Sequence, residues 1–173
     1  AIEETEETRN EVHQTATEAA EAVVQDHEIA KGVSITIYTD GSSYILGKNF
    51  CKEGIKNHAI EEDKGRIFGA GGFIAYNNIT KTEIYRFAKA DEGMKTGAAE
   101  VTAMLLALRW IRTNHLGKYV VVFSDSQYVV RGINEWMYKW SERGFRKFDQ
   151  GGQLEDIKNR DLWREIFSVY RAI

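Results

Sequence analysis

Proline is absent from the chain, cysteine occurs once, and no apolar run approaches the ~18 residues that a membrane-spanning helix needs. The first absence excludes proline-rich spacers, although composition offers no physical reason for it. The single Cys51 excludes an internal disulfide and a cysteine-built zinc site, which predicts an intracellular, reducing setting without separating nucleus, mitochondrion and cytoplasm. The lack of a long apolar run predicts a soluble protein. Positive charge is also short: 23 Lys and Arg against 26 Asp and Glu leave −3, which argues against general nucleic-acid affinity of the whole chain.

What is present suits a globular protein. Apolar residues make up 43% and charged residues 28% of 173, enough for one domain with a real core plus a tail, and no repeat is visible. The charge is unevenly placed. Residues 1–30 hold nine acids and, of Lys and Arg, only Arg9, so they carry −8 and the other 143 residues carry +5. The division expected is an acidic leader over 1–32, with a weak helix at about 16–30, and a domain over 33–173. The chain starts at Ala1 with no signal-peptide core, as expected of a processed or excised length of a longer parent.

Along the domain, Ile35 to Thr39 alternate as a strand that delivers Asp40 before a turn at Gly41-Ser42-Ser43. Asp40 there is either a turn cap or a metal ligand. Residues 44–67 lack any period and read as a long insertion. Phe68–Tyr76 is a glycine-rich strand, with an Asn77-Asn78 hairpin turn and a third strand near 82–89. The glycine run is no phosphate loop, because no Lys-Ser/Thr pair or helix follows it.

Thr96-Gly97 opens an apolar helix over about 98–114, too apolar for one stripe and therefore largely buried. Glu100 in its expected first turn is either a dipole partner or a site acid. Lys118–Ser124 is a buried strand ending at Asp125, a second carboxylate at a strand end, or else the N-cap of the helix that follows. From Trp136 to Phe148 aromatics interleave with Lys139, Arg143, Arg146 and Lys147, which suits a nucleic-acid surface. The other reading makes Trp136 and Trp140, four residues apart, core residues of an amphipathic helix. A polar loop over 150–158 and a last helix from about Asn159 complete the chain.

Strand-Asp, helix-Glu and strand-Asp in this order resemble the ribonuclease H family. The matching stretches are Tyr38-Thr39-Asp40-Gly41-Ser42, Ala99-Glu100 and Ser124-Asp125-Ser126-Gln127-Tyr128-Val129. They continue in Gly132-Ile133-Asn134-Glu135-Trp136, Lys139-Trp140, Arg143-Gly144-Phe145 and Lys158-Asn159-Arg160-Asp161-Leu162-Trp163. The resemblance implies an α/β fold, a mixed sheet flanked by helices. It also implies cleavage of the RNA strand of RNA–DNA hybrids with two Mg2+ ions, Mn2+ being able to substitute. Asp40 would bridge the metals, with Glu100 and Asp125 completing the site. Gly41, Ser42, Ser126, Gln127 and Asn159 match positions used near the minor groove and backbone. Trp136, Lys139, Trp140, Arg143, Phe145, Arg146 and Lys147 resemble the family's basic handle for the DNA strand, with Ser141 and Glu142 where basic residues are usual.

The chain also departs from the family. Ile173 falls before the family's fifth strand, so the fifth strand, last helix, fourth acid and mobile histidine are expected from further chain or from a partner protein. None of His13, His27, His58 and His115 stands where that histidine would. The insertion 44–67 replaces a short turn, and Gly97-Ala98-Ala99 replace an asparagine that contacts the groove. Two other readings follow from these departures: an inactive module of this fold within a larger assembly, or a nuclease domain cut from a polymerase polyprotein.

Overall fold

The computed structural model describes residues 34–45, 66–114, 116 and 120–173. The acidic leader and its expected helix, residues 46–65 of the insertion, Cys51 and the four histidines lie outside the described residues. Ile67–Asn77 (β2) and Thr82–Glu92 (β3) flank Ile35–Ile45 (β1) on one side, and Val120–Ser124 (β4) flanks it on the other. The order is β3-β2-β1-β4, with β1 antiparallel to β2 and parallel to β4, and β2 antiparallel to β3. This is the mixed α/β sheet that the resemblance implied. β1 lies inside the sheet, and Thr36, Ile37 and Tyr38 are buried on both of its faces, as an inner strand requires.

β1 does not turn at Gly41. It runs on to Ile45, because the glycine-rich half of β2 stays in register with it, Gly41 facing Gly71 and Ser43 facing Gly69. The β2–β3 connection is likewise wider than a two-residue Asn77-Asn78 turn. Asn77 Oδ1 accepts from the N–H groups of Ile79 and Thr80 at 2.9 and 3.2 Å, and Lys81 closes the turn at φ 58°.

The long helix α1 spans Thr96–Thr113 and covers β1 and β2. Ala99, Val101, Thr102, Met104, Leu105, Leu108 and Ile111 among others are buried, which agrees with a helix too apolar for one stripe. Small residues let it sit close: a Cβ at Gly41 would stand 2.4 Å from the Ala99 carbonyl carbon, and one at Gly71 would stand 2.3 Å from Ala99 O. The helix begins earlier than its sequence suggests, with Lys95 as N-cap and no side-chain cap bond. Glu100 therefore stands past the first turn, beyond the reach of the dipole argument.

After β4 come α2 (Gln127–Arg131), a π-helical stretch (Gly132–Trp136) and α3 (Met137–Glu142). The expected polar loop is instead half of a small hairpin, β5 (Arg146–Phe148) against β6 (Leu154–Asp156), and α4 (Arg160–Arg171) follows. Trp163, Ile166 and Val169 of α4 join Val129, Met137 and the inner face of α1 in one core. Trp163 is fully buried, its Nε1 donates to Tyr128 Oη at 2.8 Å, and its ring meets those of Tyr128 and Trp140 edge-on. Truncating such a side chain to alanine typically costs about 3–5 kcal/mol.

Candidate active site

The β1–β4 register pairs Thr39 with Ser124, so the next residues, Asp40 and Asp125, emerge side by side where β4 stops. Asp125 is not a helix cap. That role belongs to Ser126, whose Oγ accepts from Val129 N–H at 3.3 Å, and it leaves the Asp125 side chain exposed. Gly41, next to Asp40, lies against the backbone of Ala99 and Glu100, which ties the start of α1 to the same spot.

Asp40 carries the mark of this crowding. Its carboxyl is pushed up from 3.8 to about 6, first by burial and then by the negative charge of Asp125, with a smaller push from Glu100. A hydrogen bond from Gly41 N–H to Asp40 Oδ1 at 2.8 Å pulls the other way. Three hard oxygen donors of like charge fit a divalent cation in charge and donor type. Among the described residues no three acidic, histidine or cysteine side chains already close round one ion, so the fit is one of charge rather than of a finished cage.

Ser126 Oγ donates to Glu100 Oε2 at 2.8 Å, and the residue is buried. Of the other positions matched to groove contacts, Gly41 is buried against α1, Ser42 is half-buried and Gln127 is exposed. Asn159 adopts a left-handed conformation at φ 59°, and its Nδ2 donates to Tyr128 Oη at 3.3 Å.

The aromatic-basic run divides in two. Trp140 packs on Trp163, and Phe145 is buried against Phe167, so both rings serve the core. Trp136 lies against Trp140 with the Arg131 guanidinium 4.7 Å above its ring. Lys139 is exposed, and the exposed Arg143 sits over the Phe148 ring at 5.7 Å. Arg146 and Lys147 each face an acid across the hairpin, Asp156 at 3.3 Å and Glu155 at 3.7 Å.

The motif that singles out Asn159 does not reveal the company this residue keeps. A Cβ at Gly97 would stand 3.7 Å from Asn159 Nδ2 and 3.8 Å from both Lys158 Nζ and Tyr128 Cε1. Lys158 and the Asn159 amide thus stand at the N-terminal end of α1, whose first turn holds no acid. The adjacency of Lys158 and Asn159 just before a helix was the available signal. Ser43 Oγ and Thr96 Oγ1, 2.7 Å apart, join the end of β1 to the same helix start.

The ribonuclease H family model matches residues 32–172. Ribonuclease H of Treponema denticola is 28% identical over 152 residues, covering 82% of this chain and 81% of that protein. That of Cupriavidus necator is 30% identical over 132 residues, covering 76% of this chain and 71% of that protein. Among solved structures, the foamy viral protease-reverse transcriptase in complex with RNA/DNA hybrid superposes with a TM-score of 0.59 at 17% identity, covering 82% of this chain and 16% of that one. The same protein in complex with dsDNA gives a TM-score of 0.57 at 19% identity, covering 80% of this chain and 75% of that one. These structural likenesses establish a common fold.

Proposed function

This chain belongs to the ribonuclease H family of endoribonucleases, and from that premise we propose that it hydrolyses the RNA strand of RNA–DNA hybrids at a site built on Asp40, Glu100 and Asp125. The observation that carries the reading is the convergence of three acids from separate elements, where both Asp125 and Glu100 act on the Asp40 carboxyl. Keeping like charges together costs stability that a purely structural role does not require.

Asp40, Glu100 and Asp125 would hold a pair of Mg2+ ions, with Mn2+ able to replace them. Such ions supply an activated water and neutralise charge on the attacked phosphate and the leaving oxygen. The chain's own part is to place the scissile phosphate. Lys158, Asn159 and the α1 N-terminus receive a neighbouring backbone phosphate, while Ser42 and Gln127 face the groove in which the 2′-hydroxyl separates RNA from DNA. Lys139 and Arg143 on the α3 side extend the grip to the second strand. β4 hydrogen-bonds only to β1 among the described strands, and its other edge is where a strand from further chain or a partner would add a fourth acid.

The test is strand selectivity. With Mg2+ and one end-labelled strand at a time, the RNA strand of a hybrid is expected to be cut, while its DNA strand, duplex RNA and duplex DNA stay whole. Equal cutting of all substrates, or of none by a chain that carries its natural flanking sequence, would sink the proposal.

A further inference from the structure

Ser126 is held from three directions. Its N–H donates to Ser124 Oγ at 3.1 Å, its carbonyl accepts from Val130 N–H at 3.0 Å, and its Oγ accepts from Val129 N–H at 3.3 Å. The hydroxyl has one proton, and it goes to Glu100 Oε2 at 2.8 Å. Capping alone does not need that proton, because an aspartate, which only accepts, caps a helix equally well. At 7% exposure Ser126 has almost no surface to offer a substrate in the groove.

Glu100 needs such a partner. The backbone beneath it is fixed, since Gly41 and Gly71 let α1 rest directly on β1 and β2. The side chain above that backbone has three rotatable bonds, and like-charge repulsion between it and Asp40 drives its carboxylate away from that acid. A charge-assisted hydrogen bond from a rigid donor opposes this drift. The geometry points to Ser126 as a positioning residue: its hydroxyl proton pins the Glu100 carboxylate beside Asp40 and Asp125, coupling the α2 cap to the acidic site. This assignment rests on the reading of Glu100 as a site acid and replaces the groove contact that the family resemblance implied for Ser126.

The test compares the wild-type chain with Ser126→Ala, Ser126→Asp, Ser126→Thr and Glu100→Gln, and with the Ser126→Ala/Glu100→Gln double variant. Alanine removes cap and donor, aspartate keeps the cap and removes the donor, and threonine keeps both. In hybrid cleavage, alanine and aspartate are expected to lower kcat roughly ten- to a hundredfold, the usual cost of losing a partner of a metal-ligating group, while KM holds and threonine restores the rate. Urea unfolding should separate the roles, with threonine recovering the stability that alanine loses and aspartate falling short of it, because its carboxylate would face Glu100 within hydrogen-bond range. In EDTA, the alanine substitution should cost less in the Glu100→Gln background than in the wild type, and Mg2+ should raise the unfolding midpoint less in Ser126→Ala than in the wild type. Recovery of kcat together with stability in Ser126→Asp, a loss confined to KM, or additive stability effects in EDTA would overturn the assignment. If Glu100→Gln itself cleaves at the wild-type rate, the reading of the site fails instead, and the stability comparison in EDTA still decides the Ser126–Glu100 link.

Discussion

Replacing Asp40 with asparagine should make the metal-free protein more stable. Burial and the charges of Asp125 and Glu100 raise the Asp40 carboxyl from 3.8 to about 6. Between those values the folded chain binds more protons than the unfolded one, so stability falls as pH rises through this window and stays reduced above it. At about 1.4 kcal/mol per pH unit the full penalty is about 3 kcal/mol, and solvent screening of a half-exposed carboxyl brings it to about 1–2 kcal/mol. Asparagine removes the charge but keeps an oxygen for Gly41 N–H. In EDTA, urea unfolding should place Asp40→Asn about 1–2 kcal/mol above wild type at pH 7.5, with the gap closing by about pH 3.5. A variant no more stable than wild type at pH 7.5, or a gap of the same size at both pH values, would refute the electrostatic reasoning.

The hairpin and the strand–helix contact yield further expectations. Glu155→Gln with Asp156→Asn releases Lys147 and Arg146 from their cross-strand partners, so hybrid affinity measured by anisotropy in EDTA should rise and its log–log salt slope should steepen by about one per freed cation. Stability should change by less than about 1 kcal/mol, because both pairs are exposed. Gly41→Ala drives a methyl group to within 2.5 Å of Glu100 N, so the unfolding free energy should drop by about 2 kcal/mol or more, and a neutral result would mean that α1 does not rest on β1 this closely.

The proposed site acids stand out in the sequence because Asp40 and Asp125 end strands and Glu100 lies near a helix start, and the family resemblance, not spacing, favours a site role over capping for them. Their setting does not stand out. Whether β1 stops at Asp40 or continues depends on the glycines of β2 across from it, a nonlocal pairing that a local turn signal at Gly41-Ser42 obscures. The start of α1 at Thr96 follows from contacts such as Ser43–Thr96, since Lys95 offers no capping side chain. The β5–β6 hairpin has strands of only three residues, too short for a visible period, and its turn is closed by hydrogen bonds between Asp149 and Gln153. Burial is equally hidden: Trp140 and Phe145 sit in a run that reads as a basic surface, and their packing on Trp163 and Phe167 appears only when α4 folds back. Ser126 matched a substrate position by motif, yet its hydroxyl points at Glu100.

The most direct measurement is single-turnover cleavage of a labelled hybrid by wild type, Asp40→Asn and Asp125→Asn, each confirmed folded. Loss of roughly a hundredfold or more in both variants, equivalent to about 3 kcal/mol of transition-state stabilisation, is the predicted result. Cleavage by both variants at the wild-type rate would contradict the assignment of this acidic cluster as the active site.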